Sequence, residues 1–334
     1  MSTLQVIWFL LIGILLTGYA ILDGFDLGLG AWHLFAKKNE HRRVLLNAVG
    51  PVWDGNEVWL LTGGGAIFAA FPPVYASVFS GFYLALILVL LGLIFRAVSI
   101  EFRHQVDDDR WRRLWDLAFS LGSLLPALLF GVALGNVVRG LQLDAAGNYV
   151  GGFLALLNPY ALLVGLTGLA MFATHGALFA VLKSEGELQQ QARGWVGQAW
   201  LAYLVLFLAS TGWSLAAFQR GSPVLPAIAS ALALAAIVGI KLFAGRSAHG
   251  KAFLSSALAM VGIFGAVGAT LFPDMVPAAN DPALSLTVYN SSSSQNTLTV
   301  MLILALVGMP IVLGYTIWIY RLFRGKVVLG EESY

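Results

Sequence analysis

The chain contains no cysteine, which excludes disulfides, thiolate metal sites and cysteine-bound iron–sulfur clusters. It is also poor in charge: only 11% of its 334 residues are Asp, Glu, Lys or Arg, against 59% hydrophobic residues. With a mean hydropathy of +0.82, that balance excludes a soluble globule and predicts an all-α polytopic membrane protein. A net charge of +2 provides no basic surface for nucleic acid, which is not expected as a partner. No hydrophilic stretch is long enough to form a soluble domain, and no internal repeat stands out, so residues 1–334 are read as a single transmembrane domain.

Long apolar runs are abundant. Requiring about 20 mostly apolar residues per crossing yields nine expected spans, at 4–35, 48–70, 74–100, 115–138, 153–182, 195–218, 224–243, 252–272 and 297–321. The first run, Leu4 to Phe35, is too long for a signal-peptide core and has no basic residue ahead of it, so it is read as a retained span. Fifteen lysines and arginines fall in the segments after spans 1, 3, 5 and 7 and in the C-terminal tail, against two, Arg139 and Arg220, in the alternate loops. By the positive-inside rule the N-terminus is expected on the periplasmic side and the C-terminus in the cytoplasm. The longest outer loop, 273–296, rich in Pro, Asn and Ser, is expected to be irregular, with its serine run a solvated connection. The stretch RHQVDDDRWRR (103–113) reads as a surface turn or helix start, with a headgroup anchor through Trp111 and its arginines as the sharper alternative.

Two acidic pairs stand where membrane helices carry few charges: Asp23 and Asp26 in LDGFDLGLG, and Asp54 and Glu57 in PVWDGNEVW. A carboxylate near the bilayer centre costs about 2.5–3.5 kcal/mol on insertion scales, so an intramembrane acid is by default a functional candidate. Each pair is spaced i, i+3, which puts both carboxyls on one helical face. Asp26 precedes Lys37, and Asp54 follows Arg43, by the same eleven residues; at about 1.5 Å per helical residue both lie roughly 16 Å from the basic surface. The expected arrangement is one buried acidic patch on a proton or cation path. The structural alternative is that these acids accept backbone N–H groups freed where Gly24, Gly28, Gly30 and Gly55 break the helices.

Other ionisable residues have quieter readings. For Arg96 the sequence favours a snorkelling side chain paired with a headgroup or with Glu101, over a counter-ion for the acids. Asp116 suits a helix start, where an acid complements the dipole. Asn136 suggests a hydrogen bond between helices. His175, the one histidine well inside a span, is a possible haem ligand, but a satisfied polar residue between helices is the favoured reading. His33, His41, His104 and His249 are expected at the interface. The run Gly63–Gly65 lacks the Lys-Ser/Thr of a phosphate loop, and it and GVALG (131–135) are read as close-packing sites. The ten tryptophans and ten tyrosines are expected mostly in interfacial belts, with an aromatic quinone groove as the alternative.

The segments LDGFDLGLG, GPVWDGNEVWLLTGGGAIFAAFPPVY, FSGFYLALILVLLGLIFR, RWRRLWD, GVALGN, LLNPYALLVG and SSSSQNTLTVM resemble, in order, subunit II of cytochrome bd-type quinol oxidases. The resemblance runs from about Leu4 to the C-terminus and is closest to the shorter form of that subunit, which includes the cyanide-insensitive branch. It implies two four-helix bundles plus a peripheral helix, in the bacterial cytoplasmic membrane, paired with a homologously folded subunit I and in some complexes with a small single-helix accessory subunit. It places haems b and d and the quinol site in subunit I, with oxygen reduced to water there and protons drawn from the cytoplasm; a structural quinone or lipid occupies subunit II in some relatives. It matches Asp26 and Asp54 to positions tied to the proton path, with Asp23 and Glu57 beside them. Where other members have Gln after Trp-Asp-Gly-Asn, this chain has Glu57, which adds an ionisable group. The expected function is a non-haem oxidase subunit supplying a proton path, not catalytic by itself; the alternative is a proton-coupled secondary transporter built on broken helices at Gly24 and Gly55.

Overall fold

In the computed structural model, which describes residues 3–330, the chain is almost wholly helical. The elements are α1 (Thr3–His33), α2 (Asn39–Val49), α3 (Trp53–Ala70), α4 (Pro72–Gly81), α5 (Tyr83–Phe102), α6 (Asp109–Arg139), α7 (Pro159–Lys183), α8 (Gly186–Ala217), α9 (Val224–Gly245), α10 (His249–Leu271) and α11 (Gln295–Leu322). Helices satisfy every mid-chain N–H and C=O internally, the condition a hydrocarbon environment imposes.

Eight of these helices, α1 and α5 to α11, are long and apolar enough to cross a membrane, where the sequence led us to expect nine. The difference is α3. It has eighteen residues, but Asp54, Asn56 and Glu57 crowd its start and Gly63–Gly65 its middle, so its mean hydropathy is low although it packs along α1. A second correction concerns 74–100, which is not one helix: α4 and α5 are separated at Phe82, whose backbone (φ −99°, ψ 17°) leaves the helical region. A third is α2, which lies in a segment read as a loop. Its apolar residues Leu45, Leu46, Ala48 and Val49 are buried, so its stability comes from one packed face.

Helix α1 is the hub, touching α3, α6, α7 and α10, while α9 and α10 pair with each other and α11 rests mainly on α1 and α3. Close crossings are made at glycines. Gly28 of α1 meets Gly176 of α7, Gly131 of α6 meets Gly165 of α7, and Gly122 of α6 meets the backbone of α5 at Gly92 and Arg96. The GVALG segment therefore packs as read, with Gly131 and Gly135 both against α7, whereas only Gly63 of the triple glycine faces a close neighbour, Leu16. A side chain at Gly176 would overlap the backbone of Gly28 and Leu29. Gly176→Val is accordingly expected to remove most folded chain from the membrane fraction, as measured by detergent size-exclusion chromatography of a fluorescent fusion, while Gly194→Ala, where the surroundings are open, leaves that peak in place.

The loop 273–296, expected to be irregular, is built. Strands β1 (Asp274–Val276) and β2 (Leu286–Thr287) pair antiparallel, and Asn280 bonds both the N–H and the C=O of Leu143 at 2.9 Å. Its serines are not a passive connection: Ser293 Oγ donates to the Ala69 carbonyl at the end of α3 (2.6 Å), and Ser294 caps α11 through the N–H of Thr297. These bonds satisfy helix-end groups that would otherwise lack partners. In the adjoining 141–149 turn, the Asn148 backbone N–H and side chain, with that of Ala146, hold the Asp144 carboxyl below its usual range.

Candidate functional site

The segment Asp23-Gly-Phe-Asp-Leu-Gly divides α1 into two faces. Gly24 and Gly28 admit the Phe172 ring and the backbone of α7, and Phe25 stacks on Phe179 at 4.0 Å. Asp23 and Asp26, one turn apart, face away from α7 toward α3 and α5. Because α1 runs unbroken through this region, the reading in which glycines break it and free N–H groups for the acids does not hold there.

Asp23 is fully buried, and its Oδ1 lies 2.7 Å from Arg96 Nη1 of α5. The same guanidinium donates from Nη2 to Glu57 Oε2 of α3 at 3.1 Å. Asp26 is joined to α3 by the residue before Glu57: Asn56 Nδ2 donates to Asp26 Oδ2 at 2.9 Å. Tyr320 of α11 donates its hydroxyl to Asn56 Oδ1 at 2.7 Å. One arginine, three carboxyls, an amide and a phenol thus meet inside the bundle. Asp26 Oδ1, the Asp23 oxygens, Arg96 Nε and the Tyr19 hydroxyl are buried there without a hydrogen bond of good geometry. A single guanidinium facing three carboxyls leaves excess negative charge in a desolvated setting, and such charge is tolerated only with a bound proton, a cation or water.

Arg96 corrects the sequence reading. It is completely buried and does not snorkel; its ion-pair partners are Asp23 and Glu57, while Glu101 lies on an exposed part of α5 nearer the basic end. Asp54 stands apart from the cluster. It occupies the exposed side of the first turn of α3, where its Oδ1 accepts the N–H of Gly55 at 2.6 Å, a helix-start role; Glu57 beside it has 21% of its side chain open to the same side.

Asp116 is also not a helix-start acid. The N-cap of α6 is Asp108, whose side chain accepts the N–H groups of Arg110 and Trp111, two turns earlier than expected. Asp116 is buried at the basic end, where His33 Nε2 lies 2.5 Å away and Arg103 Nε and Arg42 Nη1 donate to it at 2.6 and 2.8 Å. It ties the ends of α1 and α5 to α2 and α6. His33 and His41, expected at the interface, are buried. Trp111 donates to the Phe102 carbonyl at 2.8 Å, which braces the 103–108 turn. Asn136 bonds the Leu156 carbonyl at 2.7 Å, the interhelical role anticipated for it. His175 has both ring nitrogens engaged, by Ser256 Oγ at 2.6 Å and the Ile21 carbonyl at 3.0 Å, and its ring stacks on Phe253.

Sequence reasoning missed Asn56, Tyr320, Arg42 and Arg103. Asn56 was within sight, between two flagged acids, but an amide carries no charge cost to draw attention. Nothing in the sequence connects Tyr320 to a partner 264 residues away.

A family model described as cytochrome bd terminal oxidase subunit II matches residues 4–323. Among similar proteins, the probable cytochrome oxidase subunit 2 of Haemophilus influenzae is 38% identical, with 97% of this chain and 95% of that protein covered. The cytochrome bd-I ubiquinol oxidase subunit 2 of Escherichia coli K12 is 36% identical over 98% of this chain and 96% of its own length. The cytochrome bd ubiquinol oxidase subunit 2 of Bacillus subtilis 168 is 37% identical over 98% of both. Among solved structures, a chain of the bd oxidase from Geobacillus thermodenitrificans shares the fold, with a TM-score of 0.79 and 19% identity over 96% of this chain and 99% of that one.

Proposed function

Because the chain belongs to the cytochrome bd terminal oxidase subunit II family, we propose that it serves a respiratory quinol oxidase as its haem-free subunit and carries protons through the buried acids of α1 and the half-buried Glu57 of α3. It is a multi-pass protein of the bacterial inner membrane. His175, the candidate haem ligand of the sequence, has both ring nitrogens committed to Ser256 and Ile21, which supports a structural role for it. On the family resemblance, haems b and d, and with them oxygen reduction, are assigned to a partner subunit I.

The polarity of the bundle supports the direction of transfer. Arg42, Arg103, Lys183 and Lys326 gather with Asp116 and the C-terminal segment at one end, while the 141–149 and 273–296 loops meet at the other. We read the basic end as cytoplasmic. In the same reading α1 and α3 to α6 form one bundle, α7 to α10 the other, with α11 peripheral. Asp54 and the open edge of Glu57 mark the face of α3 that subunit I covers, since bare carboxylates against lipid are costly. The transporter alternative calls for a matching pair of interrupted helices in the second half, and α7 to α10 each run continuously.

The observation that carries the proposal is the geometry at Asp26: one oxygen is held by Asn56 at 2.9 Å, and the other is buried beside the Asp23 carboxyl with no donor of its own, a pair of carboxyls placed to share a proton. Asp26→Asn keeps the shape and removes the ionisable group. In the purified complex it is expected to slow oxygen uptake by about tenfold or more, up to the roughly 10²–10⁴-fold that a positioned proton-transfer group contributes, with haem spectra unchanged. Uptake within about twofold of the parent would remove Asp26 from the path.

A further inference from the structure

A cleft of about 320 Å³ opens at the basic end, with Asn47, Val52, Lys183, Tyr320, Lys326 and Val327 in its wall. At about 30 Å³ per molecule it holds on the order of ten waters. The segment that closes it is pinned. Lys326 Nζ donates to the carbonyls of Val181 and Ser184 at 3.0 and 2.8 Å, Lys183 Nζ to that of Phe323 at 2.6 Å, and the Val327 N–H to that of Lys183 at 2.8 Å. The cleft is thus a fixed part of the fold, formed where the end of α7 and the chain beyond α11 exchange hydrogen bonds.

Tyr320 belongs both to the wall of this cleft and to the acidic cluster. Its hydroxyl donates to Asn56 Oδ1, and Asn56 Nδ2 donates to Asp26 Oδ2. An amide has one accepting end and one donating end. With the Tyr320 hydroxyl donating to the accepting end, the donating end faces Asp26; an amide turned the other way would set a carbonyl against the carboxyl and cost this donated bond. The amide does not itself relay protons. Its fixed orientation secures Asp26 Oδ2 and leaves Oδ1 for a proton delivered by water.

We infer that this cleft is the water-filled entrance to the buried acids and that Tyr320 is a positioning residue which, through the Asn56 amide, keeps Asp26 receptive to protons arriving from it. The inference rests on the proton-carrying role proposed for Asp26.

The test uses the assembled quinol oxidase and three variants. Tyr320→Phe retains the ring and removes only the hydroxyl. It is expected to lower kcat about three- to tenfold and to raise the solvent deuterium isotope effect, with the KM for quinol and the haem spectrum unchanged; a merely structural role would leave the isotope effect where it was. Since the chain has no cysteine, Val327→Cys gives this subunit a single thiol in the wall. A small cationic methanethiosulfonate is expected to attach to it and to lower turnover severalfold relative to the same variant before labelling. Parent-like kcat and isotope effect in Tyr320→Phe, failure of the reagent to attach, or attachment without loss of turnover overturns the inference. If Asp26→Asn in the same preparation is slow, that failure is confined to the entrance; if Asp26→Asn is as fast as the parent, the proton-carrying role itself has failed.

Discussion

Arg96→Met is expected to leave little assembled complex in the membrane. The guanidinium is completely buried between Asp23, 2.7 Å away, and Glu57, 3.1 Å away. Removing one partner of a buried ion pair costs about 3–5 kcal/mol, because the remaining charge is stranded without water. That is a large share of the roughly 5–15 kcal/mol by which folded domains are stable. Here one deletion strands two carboxyls on two helices and loosens the contact of α5 with α1 and α3 together. The measurement is the yield of complex after mild detergent extraction, followed by its haem absorbance. Adding Asp23→Asn and Glu57→Gln to Arg96→Met is expected to recover part of that yield, since no ion is then left unpaired. Parent-like yield from Arg96→Met alone would show that the cluster is open to water.

Asp116→Ala reverses the sign of the same experiment and should have the next largest effect. It leaves Arg103, with 4% of its side chain exposed, Arg42, at 24%, and His33 facing one another around an empty centre. The expected loss is about 3 kcal/mol or more, seen as a fall of roughly 5 °C or more in the thermal midpoint of the extracted chain. Asp116→Asn, which keeps an acceptor oxygen, should lose less, and pairing Asp116→Ala with Arg103→Leu should regain part of the loss. The readout separates this centre from the Arg96 cluster. Asp116 lies where α1, α2, α5 and α6 end, so its removal is expected to open the basic end of the bundle.

The spans were legible because a hydrocarbon solvent demands them. Twenty apolar residues in succession have few other uses, and the expected ranges 224–243 and 297–321 sit inside α9 and α11 with ends within two residues. Legibility failed where local chemistry overrode the apolar count. The low hydropathy of α3 comes from the very residues that build the site, and the break at Phe82 lies in an apolar run with no proline or charge to announce it. For single residues the difficulty was distance along the chain. Glu101, five positions from Arg96, was the visible partner, whereas the ones the fold supplies are 39 and 73 residues away. Arg42 and Arg103 were counted as loop charges and in space converge on Asp116. The acids of α1 were conspicuous on energetic grounds alone; that the amide between Asp54 and Glu57, rather than Asp54 itself, reaches across to Asp26 requires the azimuth of α3, which no spacing rule provides.

The exposed start of α3 has a bearing on how the cell handles this protein before it has found its mate. Asp54 and the open edge of Glu57 present anionic oxygens on a flank where a solitary copy is expected to thin and wet the lipid around it. Such a defect distinguishes an orphan from a finished complex without any dedicated signal sequence. Surplus chains are accordingly expected to be extracted and degraded faster than assembled ones, which a pulse-chase with and without the companion subunit would show.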